Sequence, residues 1–213
     1  MINFFKNKKN ASDNWLSGYP AYQLPYIGVG RSLTEDQANE NLAYLLANQS
    51  ARLDALSTVL EKFNIDLAEG LASDTPETLI NDLYDWAGEH WQTYHSKNHT
   101  RQQWLESNRT GEDIIYSVAM DTAIVFGELL IQHRPNYSWR VDLDSDNIEM
   151  ASWRRCVLIA PMLTHEHMAI VDLEHTVAER VFNPDKPHWR WENRWLRSLN
   201  NCLSGAHEGA HLS

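Results

Sequence analysis

The chain has 213 residues, 43% of them hydrophobic and 22% charged, ordinary globular values that exclude a disordered chain. Its 29 acidic and 18 basic residues leave a net charge of −11; such a surface repels phosphate backbones and anionic lipid, which argues against nucleic-acid and membrane partners, and it would attract a basic protein partner, although solubility alone explains it first. Cys156 and Cys202, the two cysteines, lack CxxC spacing and read as reduced, buried thiols, not as a disulfide framework or a zinc site.

At this length about 70% of the unfolded surface is buried on folding, so neither a disulfide nor a metal is needed as a staple. Residues 1–213 read as one domain, with flexible tails at 1–14 and 204–213. At the N-terminus Ile2, Phe4 and Phe5 precede Lys6, Lys8 and Lys9. A secretion signal has charge first and then a longer apolar run, so a soluble, cytoplasmic protein is expected. The nine tryptophans suit either a well-packed core or an adhesive surface.

In chain order, Trp15 to Arg31 carries two prolines, three glycines and three tyrosines. It reads as an extended segment lying over the domain, with Tyr22, Tyr26 and Ile27 as packing groups. Thr34-Glu-Asp-Gln37 is a capping box that opens a helix with Ala38, Leu42, Leu45 and Leu46 as its stripe. A second helix, about 51–63, places Leu53, Leu56, Leu60 and Phe63 on one side. The two are expected to form an antiparallel hairpin turning near Asn48 to Ser50. Thr75 and Pro76 start a third helix with Leu79, Leu83, Trp86 and His90 in line.

The stretch from about 113 to 133 is apolar nearly all round, as the central helix of a bundle is. Asp121 and Glu128 interrupt it too centrally for a membrane span. With Ser117 and Gln132 they form one polar stripe, which is expected to face solvent; a buried polar site needing partners is the sharper alternative. Trp139 to Asp142 and Arg155 to Ala160 read as strands. A helix is expected from His167 to Phe182, and a last one near 189–203 with Trp191, Trp195, Leu199 and Leu203 at helical spacing. The fold class is therefore mainly α (α+β): a helical bundle around the central apolar helix with a small two- or three-stranded sheet.

Several strings carry chemistry in other contexts. His207-Glu-Gly-Ala-His211 matches H-E-x-x-H, but it contains a glycine, lies near the chain end and has no third ligand downstream, so a chance match is the expectation. His165, His167, Asp172 and His175 have ligand types suited to zinc, manganese or iron. His167 and His175 lie two turns apart, and solvated helix-start groups explain the cluster equally well. Asp142, Asp144 and Asp146 resemble the start of an EF-hand loop, but Asn147 and Trp153 stand where glycine and a bidentate glutamate belong. His188 to Arg197 interleaves aromatic and guanidinium groups; a helix docking by its tryptophan side is favoured over a binding patch through Trp191 and Arg194. No nucleophile elbow, phosphate loop or dinucleotide fingerprint occurs, and no cofactor is expected.

Asp121 to Val141, with Phe126-Gly-Glu-Leu-Leu130 and then Pro135-Asn-Tyr-Ser-Trp139, resembles a pattern in uncharacterised bacterial proteins, some of them toxin-immunity-like. The resemblance covers about a tenth of the chain and transfers no catalytic residues. It implies close helix packing at Gly127 and anchoring of the sheet by Trp139. The expected function is a non-catalytic protein-binding module, of the kind that neutralises a basic toxin. Its test faces are Asp142, Asp144 and Asp146, and Asp82 with Asp85 on the third helix. A metal-dependent hydrolase built on His165, His167, Asp172 and His175 and a self-associating tryptophan-rich subunit are the alternatives. The sequence leaves the oligomeric state open.

Overall fold

The central helix is apolar at almost every position, so it needs cover on all sides, and the other elements supply it. The computed structural model describes residues 15–94, 99–163, 167–183 and 193–209. Within them the helices are α1 (Glu35–Leu60), α2 (Leu67–Ala72), α3 (Pro76–His90), α4 (Arg101–Glu106), α5 (Ile115–His133), α6 (Leu173–Phe182) and α7 (Arg194–Leu203), and the strands are β1 (Ser138–Val141), β2 (Cys156–Pro161) and β3 (Met168–Val171). The fold is mainly helical with a central apolar helix and a small antiparallel sheet. Every residue of α5 from Ile115 to Gly127 is buried. Gly111–His133 is long and apolar enough to cross a membrane by composition, but 83% of its apolar window is buried inside the protein.

The expected hairpin at Asn48 to Ser50 is absent: α1 runs unbroken for 26 residues. The region offers no glycine or proline to stop a helix, and Asn48 turns its side-chain amide back onto the Tyr44 carbonyl within the helix. The capping box at Thr34 forms, with its hydroxyl accepting the Gln37 N–H and the Gln37 side chain accepting that of Thr34. The buried stripe of α1 is Ala38, Asn41, Leu45, Arg52, Leu56, Val59 and Leu60. It includes two polar residues, and Leu46 is 49% exposed.

The sheet has the order β1-β2-β3, antiparallel throughout. Trp139 opposes Leu158 and Leu158 opposes Val171, while Ala160 opposes Ala169. These side chains share one face of the pleat and join the helical core. β3 replaces the first turn of the helix expected from His167. Met168-Ala-Ile-Val171 is apolar and includes two β-branched residues at its end, and Asp172 then caps α6 by accepting the His175 N–H. A β-carbon at Gly127 would overlap the Trp139 indole, so a residue without a side chain lets α5 and β1 approach closely.

The described tryptophans, Trp15, Trp86, Trp91, Trp104, Trp139, Trp153 and Trp195, are all buried. Trp86 packs edge-on to Trp15 and Trp91, and Trp195 meets Trp91, Tyr84 and Phe126. The last helix therefore docks by its aromatic side, with Arg197 exposed. Trp191 lies outside the described residues, as do 1–14 and 210–213. Residues 204–209, expected as part of a flexible tail, instead form a docked turn. The Leu163 N–H donates to the Glu208 carbonyl, and the Glu208 carboxylate is buried.

Candidate functional site

The polar stripe of α5 divides between interior and rim. Ser117 and Asp121 are buried, whereas Glu128 is half-buried and Gln132 exposed. The solvent-facing expectation therefore fails at the first two positions, because the N-terminal segment and α1 close over them. Arg52 of α1 grips Asp121 with two parallel bonds, Nε to Oδ1 at 2.7 Å and Nη2 to Oδ2 at 2.6 Å. The Tyr19 hydroxyl donates to the same carboxylate, and the Tyr22 N–H donates to Ser117 Oγ at 2.9 Å. Asn41 exchanges two bonds with the Tyr26 backbone. The extended segment is thus a strap held by polar contacts as well as by aromatic packing. Tyr22 is buried, but Ile27, expected to pack, is 43% exposed.

A second ionic centre lies beneath the strap. Glu174 accepts hydrogen bonds from Trp104 Nε1 at 2.8 Å, Arg109 Nη2 at 2.6 Å and Arg155 Nη2 at 2.7 Å. Arg155 also bonds Asp172 at 2.8 Å and stacks on the Trp104 ring. Burial alone would raise the Glu174 carboxyl, but the Arg109 and Arg155 guanidiniums hold it below the usual glutamate range. Burial pushes the neighbouring Cys156 thiol up to about 12 and that of Cys202 to about 11, so both are protonated and unreactive near neutrality. Arg109 reaches its place from a left-handed backbone (φ 59°) just before α5.

Between the strap and this centre is a cleft of about 40 Å³, lined in part by Tyr22, Trp104, Arg109, Arg154, Arg155 and Glu174. Three guanidiniums against one carboxylate make its wall basic in a chain of net charge −11. Of these residues only Glu174, lying between Asp172 and His175 in the sequence, belonged to a group that the sequence marked as candidate ligands. The other available signal was Asp121 within an apolar helix, which demanded a buried cation without saying which.

The outer surface has the opposite character. Between residues 35 and 90, Glu35, Asp36, Glu40, Asp54, Glu61, Asp66, Glu69, Asp74, Glu77, Asp82, Asp85 and Glu89 are all exposed, against Lys62 as the exposed base. Arg52, the other base of that stretch, is turned inward.

The remaining sequence candidates occupy structural positions. Asp142 is buried and accepts from the Asp144 N–H and the Asn147 side-chain amide. Asp144 caps the following 3-10 turn, and of the three only Asp146 is exposed. Asp172 spends one carboxylate oxygen on the His175 N–H and the other on Arg155. His175 stacks against both Trp104 and Phe182, which also meet each other, and His167 is exposed. His165 lies outside the described residues; among those described, no three His, Cys, Asp or Glu side chains come together as metal ligands. Arg194 pairs with Glu179 at 3.4 Å. Glu208, the glutamate of the H-E-x-x-H string, accepts from Arg134 and Asn136. No family model matches this chain, and no curated protein or solved structure is significantly similar to it.

Proposed function

We propose that this chain is a non-catalytic protein-binding module whose acidic helical face takes a basic protein partner, with immunity-type neutralisation of a basic toxin as its biological form. The observation that carries the reading is the segregation of charge. Arg52, Arg109 and Arg155 are committed to buried carboxylates, while the carboxylates of α1 to α3, Asp82 and Asp85 among them, face outward with one exposed base between residues 35 and 90. Because these arginines take matching carboxylates inward with them, the buried pairs cancel, and the net charge of −11 is carried by the surface, with twelve exposed carboxylates against one exposed base between residues 35 and 90. Facing charges of opposite sign accelerate encounter and select the partner more than they deepen affinity.

The test is association with the purified product of the neighbouring gene, followed by stopped-flow at several salt concentrations. The expected association rate falls steeply with salt, and the double substitution Asp82→Lys, Asp85→Lys slows it about tenfold at low ionic strength. Absence of binding, or a rate indifferent to both salt and charge reversal, overturns the proposal.

A further inference from the structure

Within the cleft the charges do not balance. Arg109 and Arg155 are matched by Glu174 and Asp172. Arg154, on the same wall, has no carboxylate within ion-pair distance among the described residues. It is held by one bond to the Leu33 carbonyl and by the face of Trp153. Two guanidinium nitrogens at this wall, Arg109 Nη1 and Arg154 Nε, are buried with no acceptor. The Arg109 side chain is only 7% exposed, so its free donor is cut off from bulk solvent. Of the buried side-chain nitrogens and oxygens without a partner among the described residues, these two are distinguished by carrying formal positive charge and by belonging to side chains that line one cleft.

We propose that this cleft binds a small oxyanion, the carboxylate or phosphate group of a small molecule, which accepts the free N–H groups of Arg109 and Arg154. A guanidinium presents its donors in a planar fork that suits such oxygens. A volume of about 40 Å³ is larger than a single water needs and restricts the occupant to one compact head group, while Tyr22 and Trp104 shield it from solvent. Because the strap supplies one wall of the cleft, an occupant also pins the strap to the ionic centre. This inference does not depend on the acidic face, so either reading can fail while the other stands.

The test is calorimetric titration of the full chain with sodium phosphate and, separately, sodium acetate, against sodium chloride at matched ionic strength. At least one oxyanion is expected to bind saturably where chloride does not. The preferred probe tells a tetrahedral occupant from a planar one. Arg154→Gln removes the unmatched cation without touching the Glu174 pairs, and is expected to weaken binding at least tenfold. Arg109→Lys keeps the charge that Glu174 requires and loses the second arm of the fork, with the same expected result. Arg31→Gln, outside the cleft, should bind as the unaltered protein does. Should Arg109→Lys fail to fold, Arg154→Gln decides alone. The proposal is overturned if neither oxyanion exceeds chloride, or if binding survives unchanged in the folded cleft variants.

Discussion

Asp121 sits in the middle of the most buried helix of the protein, and its two oxygens are occupied by Arg52 and Tyr19. Burial raises its carboxyl, and the Arg52 pair works against that shift. Replacing one member of such a pair leaves the other as an uncompensated buried charge, at a cost of about 3–5 kcal/mol. Asp121→Asn and Arg52→Met should each lose about that much in urea unfolding. The combined Asp121→Leu, Arg52→Met variant should recover much of it, because a buried pair replaced by apolar groups of similar volume is often neutral. Equal, additive losses in the double variant would show instead that the two side chains act separately. The partner was not readable from spacing. Asp121 and Arg52 are 69 positions apart, and nothing local in α1 marks Arg52 as its inward-facing base.

At the scale of elements, α1 offers the sharpest contrast between pattern and fold. Two apolar stripes with polar residues between them suggest two helices, whereas in α1 the helix continues through them, with Gln49 meeting Glu128 of α5 and Arg52 meeting its buried Asp121. Ala51, exposed one residue before Arg52, distinguishes the cases. Ala51→Gly should cost about 1 kcal/mol in a continuous helix and nearly nothing at the end of a turn, measured by thermal unfolding. Elsewhere, local chemistry placed elements well. The Thr34 capping box, Pro76 at a helix start and the strands around Trp139 and Val157 all form because their determinants lie within a few residues. β3 escaped notice because four apolar residues ahead of a helical period fit either conformation, and pairing with β2 decides between them.

For the molecule as a whole, the buried titratable groups pull against one another as pH changes. Burial and the Arg155 and Arg101 charges disfavour protonation of His175, while Asp172 and Glu179 favour it; the net effect lowers its pKa below 6.5. A histidine whose folded value lies below its unfolded one contributes stability that is complete above the unfolded value and is lost as pH falls through the folded value. Glu174, also lowered, acts in the same direction at more acid pH, whereas Glu128 and Asp121, raised by burial, act in the opposite one. A comparison of variants isolates His175. His175→Phe keeps a ring against Trp104 and Phe182, and the unaltered protein should lose melting temperature relative to it as pH falls from 7 to about 5. A constant difference over that range would mean that the charged imidazole is tolerated in the fold.

Composition and local pattern determined the class of this protein: a mainly helical chain around one nearly all-apolar helix, with a short sheet after it and a strongly acidic charge. Those are properties of neighbouring residues and of sums over the chain. Only the tertiary structure decided which charges face inward, since burial of Asp121, Glu174 and Glu208 depends on partners far away in sequence. It also decided that the described tryptophans form a core and that the strap closes a basic cleft inside an acidic protein. A guanidinium takes its meaning from the carboxylate it meets, and that meeting is a product of packing.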